Sequence, residues 1–308
     1  MKRRQLMSSV ALPFFSFGPF AAVAADSTFD TRPAELPAKV SALLQQSEQD
    51  IDVATTALNL AAEVYSGLPT SRYLERFAAM VKEASTKLAT ASIRSHLDIV
   101  RGLNSYLFDD FGMQYDHSPD GKGKTETYFL NGIMDTKRGM CLTMPMLYLA
   151  ISQRLSLPIS VALAPQHTFL RYQVPGRAPH NIEVTSGGGT LTDEAYVKKF
   201  SIPRRAIENG AYLRTLSLRE YMATMLLPIG HAMHDRGKPG LALAYFESAH
   251  RLNPKSPIYV RVLAAFWMNA AKKAHEGNAP VIARKLYERS MALRKQAEAM
   301  GWPVTDKT

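Results

Sequence analysis

A strongly apolar stretch followed by three short β-like segments constrains the fold of this chain more than any other feature. Residues Leu142–Leu155 have the pattern of a buried helix, in which Pro145 is tolerated only in the first turn. Turn residues separate the β-like segments, which are Pro158–Ala164, His167–Val174 and Asn181–Thr185. A helix packed on a small antiparallel sheet is the simplest architecture for this order. We therefore predict an α+β fold whose core spans residues 125–190.

Helical patterns flank this core. Apolar residues recur at helical intervals over residues 33–112 and again over residues 215–300. In the second region six residues fall at the spacing of the tetratricopeptide signature: Gly230, Gly237, Ala242, Phe246, Ala249 and Pro254. A poorer second copy, with an insertion around Lys272–Pro280, comprises Ala264, Trp267, Ala283 and Tyr287. A stable solenoid needs about three repeats, so we expect these helices to dock on the central domain. Ordinary helical hairpins are the alternative.

The composition is that of a folded globular protein. Of the 308 residues, 46% are hydrophobic and 21% are charged, which excludes an intrinsically disordered chain. Lys and Arg outnumber Asp and Glu by 37 to 27, and the net charge is +10. The basic residues are scattered in pairs such as Lys198-Lys199 and Arg204-Arg205, without a nucleic-acid-binding motif. We therefore expect no nucleic-acid partner.

The N-terminus has the organisation of an export signal. Three basic residues, Lys2–Arg4, precede the short apolar stretch Val10–Val23, and Ala22–Ala24 is a small-residue cleavage site. We predict that residues 1–24 are a signal peptide and that the protein is periplasmic or secreted. The paired arginines leave the general secretory (Sec) and twin-arginine routes open, and an uncleaved anchor is the alternative. A membrane span requires about 20 apolar residues, so we expect no stable span after cleavage.

Cys141 is the sole cysteine, so no intramolecular disulfide can form, and it directly precedes the apolar helix. The N–H groups and the dipole at a helix N-terminus favour the thiolate, which is the reactive form of cysteine. The position therefore predicts a lowered pKa and a candidate nucleophile. The alternative is an inert cysteine that packs as a small core residue.

His167 and Glu183 lie on neighbouring predicted strands, and the register between the strands decides whether they meet. A hairpin centred on Pro175 places His167 opposite Glu183, with their Cβ atoms about 5 Å apart. Glu183 would then orient the imidazole ring while the ring takes the proton of the cysteine, as in a catalytic triad. A hairpin centred on Arg177 instead pairs Arg171 with Glu183 in an ordinary ion pair. The sequence leaves both registers open.

Three further groups are weaker candidates. His231 and His234, with Asp235, have the spacing of metal ligands on a helix. No further ligand group is evident, so we interpret them as solvent-exposed histidines and predict no metal. Ser186–Gly189 lacks the Gly-Lys-Ser/Thr continuation of a phosphate loop and indicates a turn. The Asn131 side chain and the backbone N–H of the cysteine are candidates for stabilising an oxyanion.

Four runs of this sequence resemble a known family: Tyr128–Asn131, Arg138–Thr143, Pro165–Tyr172 and Asn181–Gly188. Their order and spacing are similar to those of the bacterial transglutaminase-like superfamily, specifically its SirB-type branch, which joins such a domain to tetratricopeptide helices. The resemblance covers roughly residues 40–255. It implies a papain-like core and a triad of Cys141, His167 and Glu183. Glu183 stands where the superfamily commonly has Asp, and many SirB-type relatives lack the cysteine.

The resemblance and the residues together lead us to expect an exported cysteine enzyme. Cys141 would attack a peptide or carboxamide carbonyl to form a thioester, with hydrolysis expected over transamidation and without a metal or organic cofactor. The expected partners are a peptide or protein substrate and a protein held by the C-terminal helices. The alternative is a catalytically inactive binding or scaffold protein. The expected domains are residues 25–214, transglutaminase-like with its N-terminal helices, and residues 215–300, the tetratricopeptide-like helices.

Overall fold

The computed structural model describes residues 32–91, 93, 95–117 and 125–302. The predicted export signal, residues 1–24, lies outside these ranges, as do residues 118–124 of the loop between the N-terminal helices and the core. Helices precede and follow a small antiparallel sheet. The predicted α+β class is therefore confirmed.

The N-terminal helical region ends where the loop begins. Its helices are Ala38–Gln45 (α1), Val53–Ala61 (α2), Thr70–Thr90 (α3) and His96–Asn104 (α4), and a π-helical segment, Ser105–Asp110, extends the last of them. The Asp52 carboxylate accepts the Thr55 N–H at the start of α2, a standard N-terminal cap. Helix α2 is buried along nearly its whole length. It therefore belongs to the interior of the molecule.

Two helices and two very short strands lead into the core. Strand β1 is Gln114–Tyr115, helix α5 is Leu130–Thr136, strand β2 is Arg138–Gly139 and helix α6 is Thr143–Arg154. Strands β1 and β2 pair in parallel. Every residue of α6 from Thr143 to Ser152 is buried, since α2, α3 and α5 pack around it. Pro145 lies in the first turn of α6, as its sequence position predicts.

The sheet covers α6 and has four strands in the order β5-β4-β3-β6, all antiparallel. The strands are Ile159–Ala164 (β3), His167–Tyr172 (β4), His180–Ile182 (β5) and Thr215–Leu216 (β6). Between β5 and β6 lie the helices Asp193–Phe200 (α7) and Arg204–Glu208 (α8). The first three strands match the predicted β-like segments. Strand β6 was not predicted because two residues are too few to show alternation.

The register of β4 and β5 differs from both predicted registers. Leu170 pairs with Ile182, and Tyr172 pairs with His180, which centres the hairpin on Gly176. Gly176 has a φ of +76°, in the left-handed region that favours glycine, so the turn forms there and not on a neighbouring residue. Strand β5 ends at Ile182, because Glu183 begins a 3₁₀ turn. A ladder extended in this register would make Glu183 a diagonal neighbour of His167 on the same face.

Four helices form the C-terminal region: Leu218–Asp235 (α9), Pro239–Leu252 (α10), Pro257–Glu276 (α11) and Pro280–Ala299 (α12). Helices α9 and α10 pack closely where Gly230 meets Phe246, since a Cβ at Gly230 would lie 2.4 Å from the Phe246 ring. Most of the predicted insertion, from Lys272 to Glu276, lengthens α11 and remains helical.

The C-terminal helices dock on the rest of the chain, as expected. Glu48 caps the start of α9, where its carboxylate accepts the N–H groups of Leu218 and Arg219. The Arg236 guanidinium, at the other end of α9, donates to the carbonyl oxygen of Val64. One continuous hydrophobic core joins both regions. Among the described residues, no helix combines the length and the apolar character that a membrane crossing requires.

Candidate active site

The turn that bears Cys141 is held by hydrogen bonds of its neighbours. The Thr143 hydroxyl accepts the N–H of Met140 at 2.9 Å and donates to the carbonyl oxygen of Thr127 at 2.5 Å. Gly139 lies so close to α5 and to this turn that a Cβ there would come 2.5 Å from the Ile133 side chain and 2.9 Å from the Thr143 hydroxyl oxygen. The helix begins at Thr143, one residue later than predicted, which leaves Cys141 in the turn just before it.

The Cys141 thiol is buried, with 4% of the residue exposed. Burial and the charge of Glu183 raise the pKa of this thiol, whereas hydrogen bonds from the N–H groups of Cys141 and Thr168 lower it. The net shift is well above the ordinary value, because desolvation of the thiolate is the largest effect. This direction is opposite to the lowered pKa that the helix N-terminus predicts. The hydrogen bond from the Thr168 N–H places the Cys141 sulfur next to β4, one residue after His167.

His167 and Glu183 are in direct contact. The Nε2 atom of His167 lies 2.7 Å from Oε2 of Glu183, and each residue is 2% exposed. The carboxylate also accepts the hydroxyl of Tyr196 at 2.9 Å and that of Thr185 at 2.6 Å. Burial raises the pKa of Glu183, but its hydrogen bonds and the charge of His167 bring it down to about 2. Glu183 is therefore ionised at neutral pH and holds the imidazole ring by Nε2.

Helix α7 supplies aromatic packing for this pair. The Phe200 ring stacks on the His167 ring, with centroids 5.3 Å apart, and Tyr196 stacks on Phe169 at 4.1 Å. Sequence reasoning missed Tyr196, Phe200 and Thr185. The i, i+4 spacing of the two aromatic residues indicates only an apolar helix face, and nothing local shows which ring that face covers.

The turn Ser186–Gly189 fixes the backbone of Glu183. The N–H of Glu183 donates to the carbonyl oxygen of Gly189 at 2.7 Å, and the N–H of Gly188 donates to the carbonyl oxygen of Glu183 at 3.0 Å. The Asn104 amide then donates to the carbonyl oxygen of Gly188 at 2.9 Å. The predicted turn thus fixes the backbone from which the Glu183 carboxylate extends.

The ion pair between Arg171 and Glu183, the alternative from sequence, is wrong. Arg171 instead donates to the Asn181 side chain at 2.9 Å, to the Asp193 carboxylate at 2.7 Å and to the carbonyl oxygen of Leu213 at 2.8 Å. Its guanidinium therefore ties the sheet to the start of α7. The Glu183 carboxylate therefore contacts His167 and not Arg171.

Asn131, the candidate for stabilising an oxyanion, lies in α5 and is buried. Its Oδ1 accepts no hydrogen bond from any residue that the structure describes. The oxyanion role of its amide N–H groups stays a prediction. The geometry brings His167 and Glu183 together near Cys141.

The prediction that His231 and His234 are solvent-exposed is wrong. They are 7% and 5% exposed, because α10 and α11 cover this face of α9. The His231 ring lies 5.0 Å from that of Phe246 and the His234 ring 6.1 Å from that of Phe266. Burial lowers the pKa of His231 to about 3. Within the described ranges, no group of three or more His, Cys, Asp or Glu side chains could hold a metal ion.

A small pocket of about 30 Å³ lies beside His167. The core contributes Leu142, His167 and Thr168 to its lining, and the C-terminal helices contribute Thr224, Ser256 and Tyr259. The pocket therefore lies between the two regions of the molecule, next to the buried His–Glu pair.

Comparison with known proteins agrees with this geometry at the level of the family. No curated protein sequence matches the chain significantly. A crystal structure of menin, described as revealing the binding site for the Mixed Lineage Leukemia protein, is similar over 83% of this chain and 70% of that chain. Its TM-score is 0.42 at 11% sequence identity, which is too low to indicate a shared fold or function. The model of the transglutaminase-like superfamily matches residues 70–226, slightly more than half of the chain. The protein therefore belongs to the transglutaminase-like superfamily.

Proposed function

We propose that the protein is a cysteine enzyme that acts on a peptide or carboxamide carbonyl through a thioester, with hydrolysis as its main outcome. Cys141 is the nucleophile, His167 is the general base and then the general acid, and Glu183 is the positioning residue for the imidazole ring. The observation that supports this most is the buried 2.7 Å contact between His167 on β4 and Glu183 just after β5, beside Cys141.

The raised pKa of Cys141 sets the order of events in this mechanism. The resting sulfur is a neutral thiol, so proton transfer to the imidazole nitrogen that does not face Glu183 accompanies attack on the carbonyl. The new C–S bond gives a tetrahedral oxyanion. Its collapse breaks the C–N bond, and the imidazolium returns the proton to the leaving amine. Water then attacks the thioester in the same way, releasing a carboxylic acid and the thiol.

The ionised Glu183 stabilises the imidazolium that forms during each proton transfer. Its pKa of about 2 keeps the carboxylate charged throughout the neutral range, and three hydrogen-bonding groups fix its position: the His167 ring, Tyr196 and Thr185. Glutamate can therefore take the role that aspartate has in most of the superfamily, because the neighbouring hydroxyls hold its longer side chain.

A binding or scaffold protein is the second candidate, and the burial of Cys141 favours it. A thiol that is 4% exposed and uncharged at rest resembles a core residue more than an accessible nucleophile. In that case the C-terminal helices would hold a protein partner, and Cys141, His167 and Glu183 would have only a structural role.

Capture of an acyl-enzyme separates the two candidates. The purified protein is incubated with a peptide mixture from cell-envelope extract, quenched in acid and analysed by mass spectrometry of the Cys141 peptide. We expect an acyl adduct on the wild type that is absent from Cys141→Ala and strongly reduced in His167→Ala, where the neutral thiol loses its general base for acylation. An unmodified Cys141 in every sample, together with retained peptide binding, would identify a scaffold.

We further propose export to a periplasm or to the medium, on the basis of residues 1–24, and membership of the SirB-type branch, with α9–α12 as its tetratricopeptide-like helices. The spacing of Gly230, Ala242 and Phe246 supports the second point, and so does the close contact of Gly230 with Phe246. An N-terminal sequence starting at Ala25 in protein recovered from the envelope would support export. A Met1 start in cytosolic protein would contradict it.

A further inference from the structure

The pocket beside His167 contains polar groups that the mechanism does not use. Tyr212 and Ser256 line it, and they are 2% and 1% exposed. Neither hydroxyl has a hydrogen-bond partner among the described residues. A buried hydroxyl without a partner costs stability, so such groups in native proteins are satisfied by a ligand or by ordered water.

Ser256 lies at a position where a serine hydroxyl normally caps the N-terminus of a helix. It is the N-cap residue of α11, a position at which serine usually accepts a backbone N–H of the first turn. Its side chain makes no such bond here. The hydroxyl therefore remains available to an occupant of the pocket.

The pocket carries no fixed charge. The described residues that line it include no Lys, Arg, Asp or Glu, and apart from the His167 imidazole their side chains are apolar, hydroxyl-bearing or amide-bearing. Burial raises the pKa of the Tyr212 phenol, which keeps it a neutral donor. A space of about 30 Å³ accommodates a group of only a few heavy atoms, since one water occupies at least about 10–15 Å³ on this scale.

We infer that this pocket binds a small uncharged group of the substrate that accepts hydrogen bonds from Tyr212 and Ser256, next to the carbonyl that reacts. This inference rests on the proposed function, because it takes the bound group to be part of the enzyme's substrate. It makes Tyr212 and Ser256 determinants of specificity. Ser256 lies beyond residues 70–226, the range of the superfamily model. The C-terminal helices would thus supply a specificity that the superfamily domain does not encode.

Ligand-observed NMR on the purified full-length protein tests the pocket without requiring turnover. The probes are propionamide, propionate and propylammonium, which share a size and differ in charge. We expect saturable binding of propionamide and at least about tenfold weaker binding of the two ions, because a charged group entering this pocket would lose its hydration without a partner charge. Equal binding of all three probes, or no saturable binding, would overturn the inference and leave ordered water as the occupant.

Variants locate the binding. Ser256→Ala and Tyr212→Phe each remove one hydroxyl and should weaken propionamide binding about fivefold, the usual effect of one hydrogen bond. Ser290→Ala is the matched control, since Ser290 is fully buried in the same region but bonds to the carbonyl oxygen of Ala264. Unchanged binding in both pocket variants would refute the assignment. Propionamide binding without acylation of Cys141 would refute the enzyme and keep the pocket, whereas acylation without propionamide binding would refute the pocket alone.

Discussion

The Nε2 atom of His167 and the Oε2 atom of Glu183 lie 2.7 Å apart in the interior of the protein, each on a residue that is 2% exposed. The two residues are brought together by the turn at Gly176, although they do not form a ladder pair. The contact fixes which ring nitrogen faces the carboxylate. In the proposed mechanism the other ring nitrogen, Nδ1, is therefore the one that exchanges a proton with the thiol.

Glu183→Gln should lower the turnover number about 10³- to 10⁴-fold while the protein stays folded, because the amide can neither hold the same ring tautomer nor stabilise the imidazolium. Steady-state kinetics with circular dichroism as a folding check would measure this. Glu208→Gln, on the exposed helix α8, is the control and should retain full activity. A fully active Glu183→Gln protein would assign the positioning role to another residue.

The stability of the protein should depend on the charge of Glu183 at low pH. Its pKa falls from an ordinary value of 4.5 to about 2 in the folded state. The carboxylate therefore stabilises the folded protein fully above about pH 4.5, and this contribution is lost as the pH falls towards 2. Urea unfolding at several pH values should show a free energy of unfolding that declines across this window. The decline should be shallower in Glu183→Gln, and an equal slope in both proteins would contradict the prediction.

Tyr196→Phe tests the support given to the carboxylate. The change removes the 2.9 Å hydrogen bond to Glu183 and keeps the ring that stacks on Phe169. We expect a loss of about 1.5–3 kcal/mol in the free energy of unfolding, as for a hydrogen bond to a charged group, and a roughly tenfold lower turnover number. Tyr245→Phe is the comparison, because the Tyr245 hydroxyl lies 3.5 Å from Glu63 and contributes little. Equal effects of the two changes would count against a positioning role for Tyr196.

The turn behind Glu183 offers a matched pair of glycines. Gly187 and Gly188 have φ values of +69° and +76°, so alanine at either site carries a backbone strain of about 1–2 kcal/mol. A Cβ at Gly187 meets open space, whereas one at Gly188 would lie 2.3 Å from the Asn104 side chain. Chemical denaturation should therefore show Gly188→Ala to be clearly less stable than Gly187→Ala. The reverse order would mean that this turn is not held as described.

Alkylation of the single cysteine reports on its raised pKa. At pH 7 the folded protein should react with iodoacetamide at least about tenfold more slowly than the unfolded chain, since each unit of pKa lowers the thiolate fraction tenfold. Labelling rates between pH 6 and 10 would show this, with the unfolded chain as reference. A folded protein that reacts faster than the unfolded chain at pH 6 would restore the thiolate expected from the helix N-terminus.

The elements that follow strong local patterns could be predicted from the sequence. Helix α6 and the strands β3, β4 and β5 match the apolar run and the three β-like segments to within a few residues. Residue type and spacing indicate Cys141, His167 and Glu183 as candidate site residues, and the structure places the last two in contact.

What could not be predicted depends on contacts between distant residues. The hairpin register follows from the left-handed conformation of Gly176, which lies between the two predicted turn centres, Pro175 and Arg177. The burial of His231 follows from the docking of α10 on α9, and the raised pKa of Cys141 from the closure of its surroundings. Desolvation is a property of the assembled fold, so the helix N-terminus alone predicts the wrong sign for the pKa shift of this thiol.

The pre-steady-state reaction with p-nitrophenyl acetate tests most directly whether Cys141 is a nucleophile served by His167. The wild type should release about one nitrophenolate per chain in an initial burst, as expected when acylation precedes a slower deacylation. His167→Asn should slow the burst about 10²-fold or more, and Cys141→Ala should show none. A wild type without a burst, or one whose burst survives in Cys141→Ala, would contradict a thioester mechanism at this site.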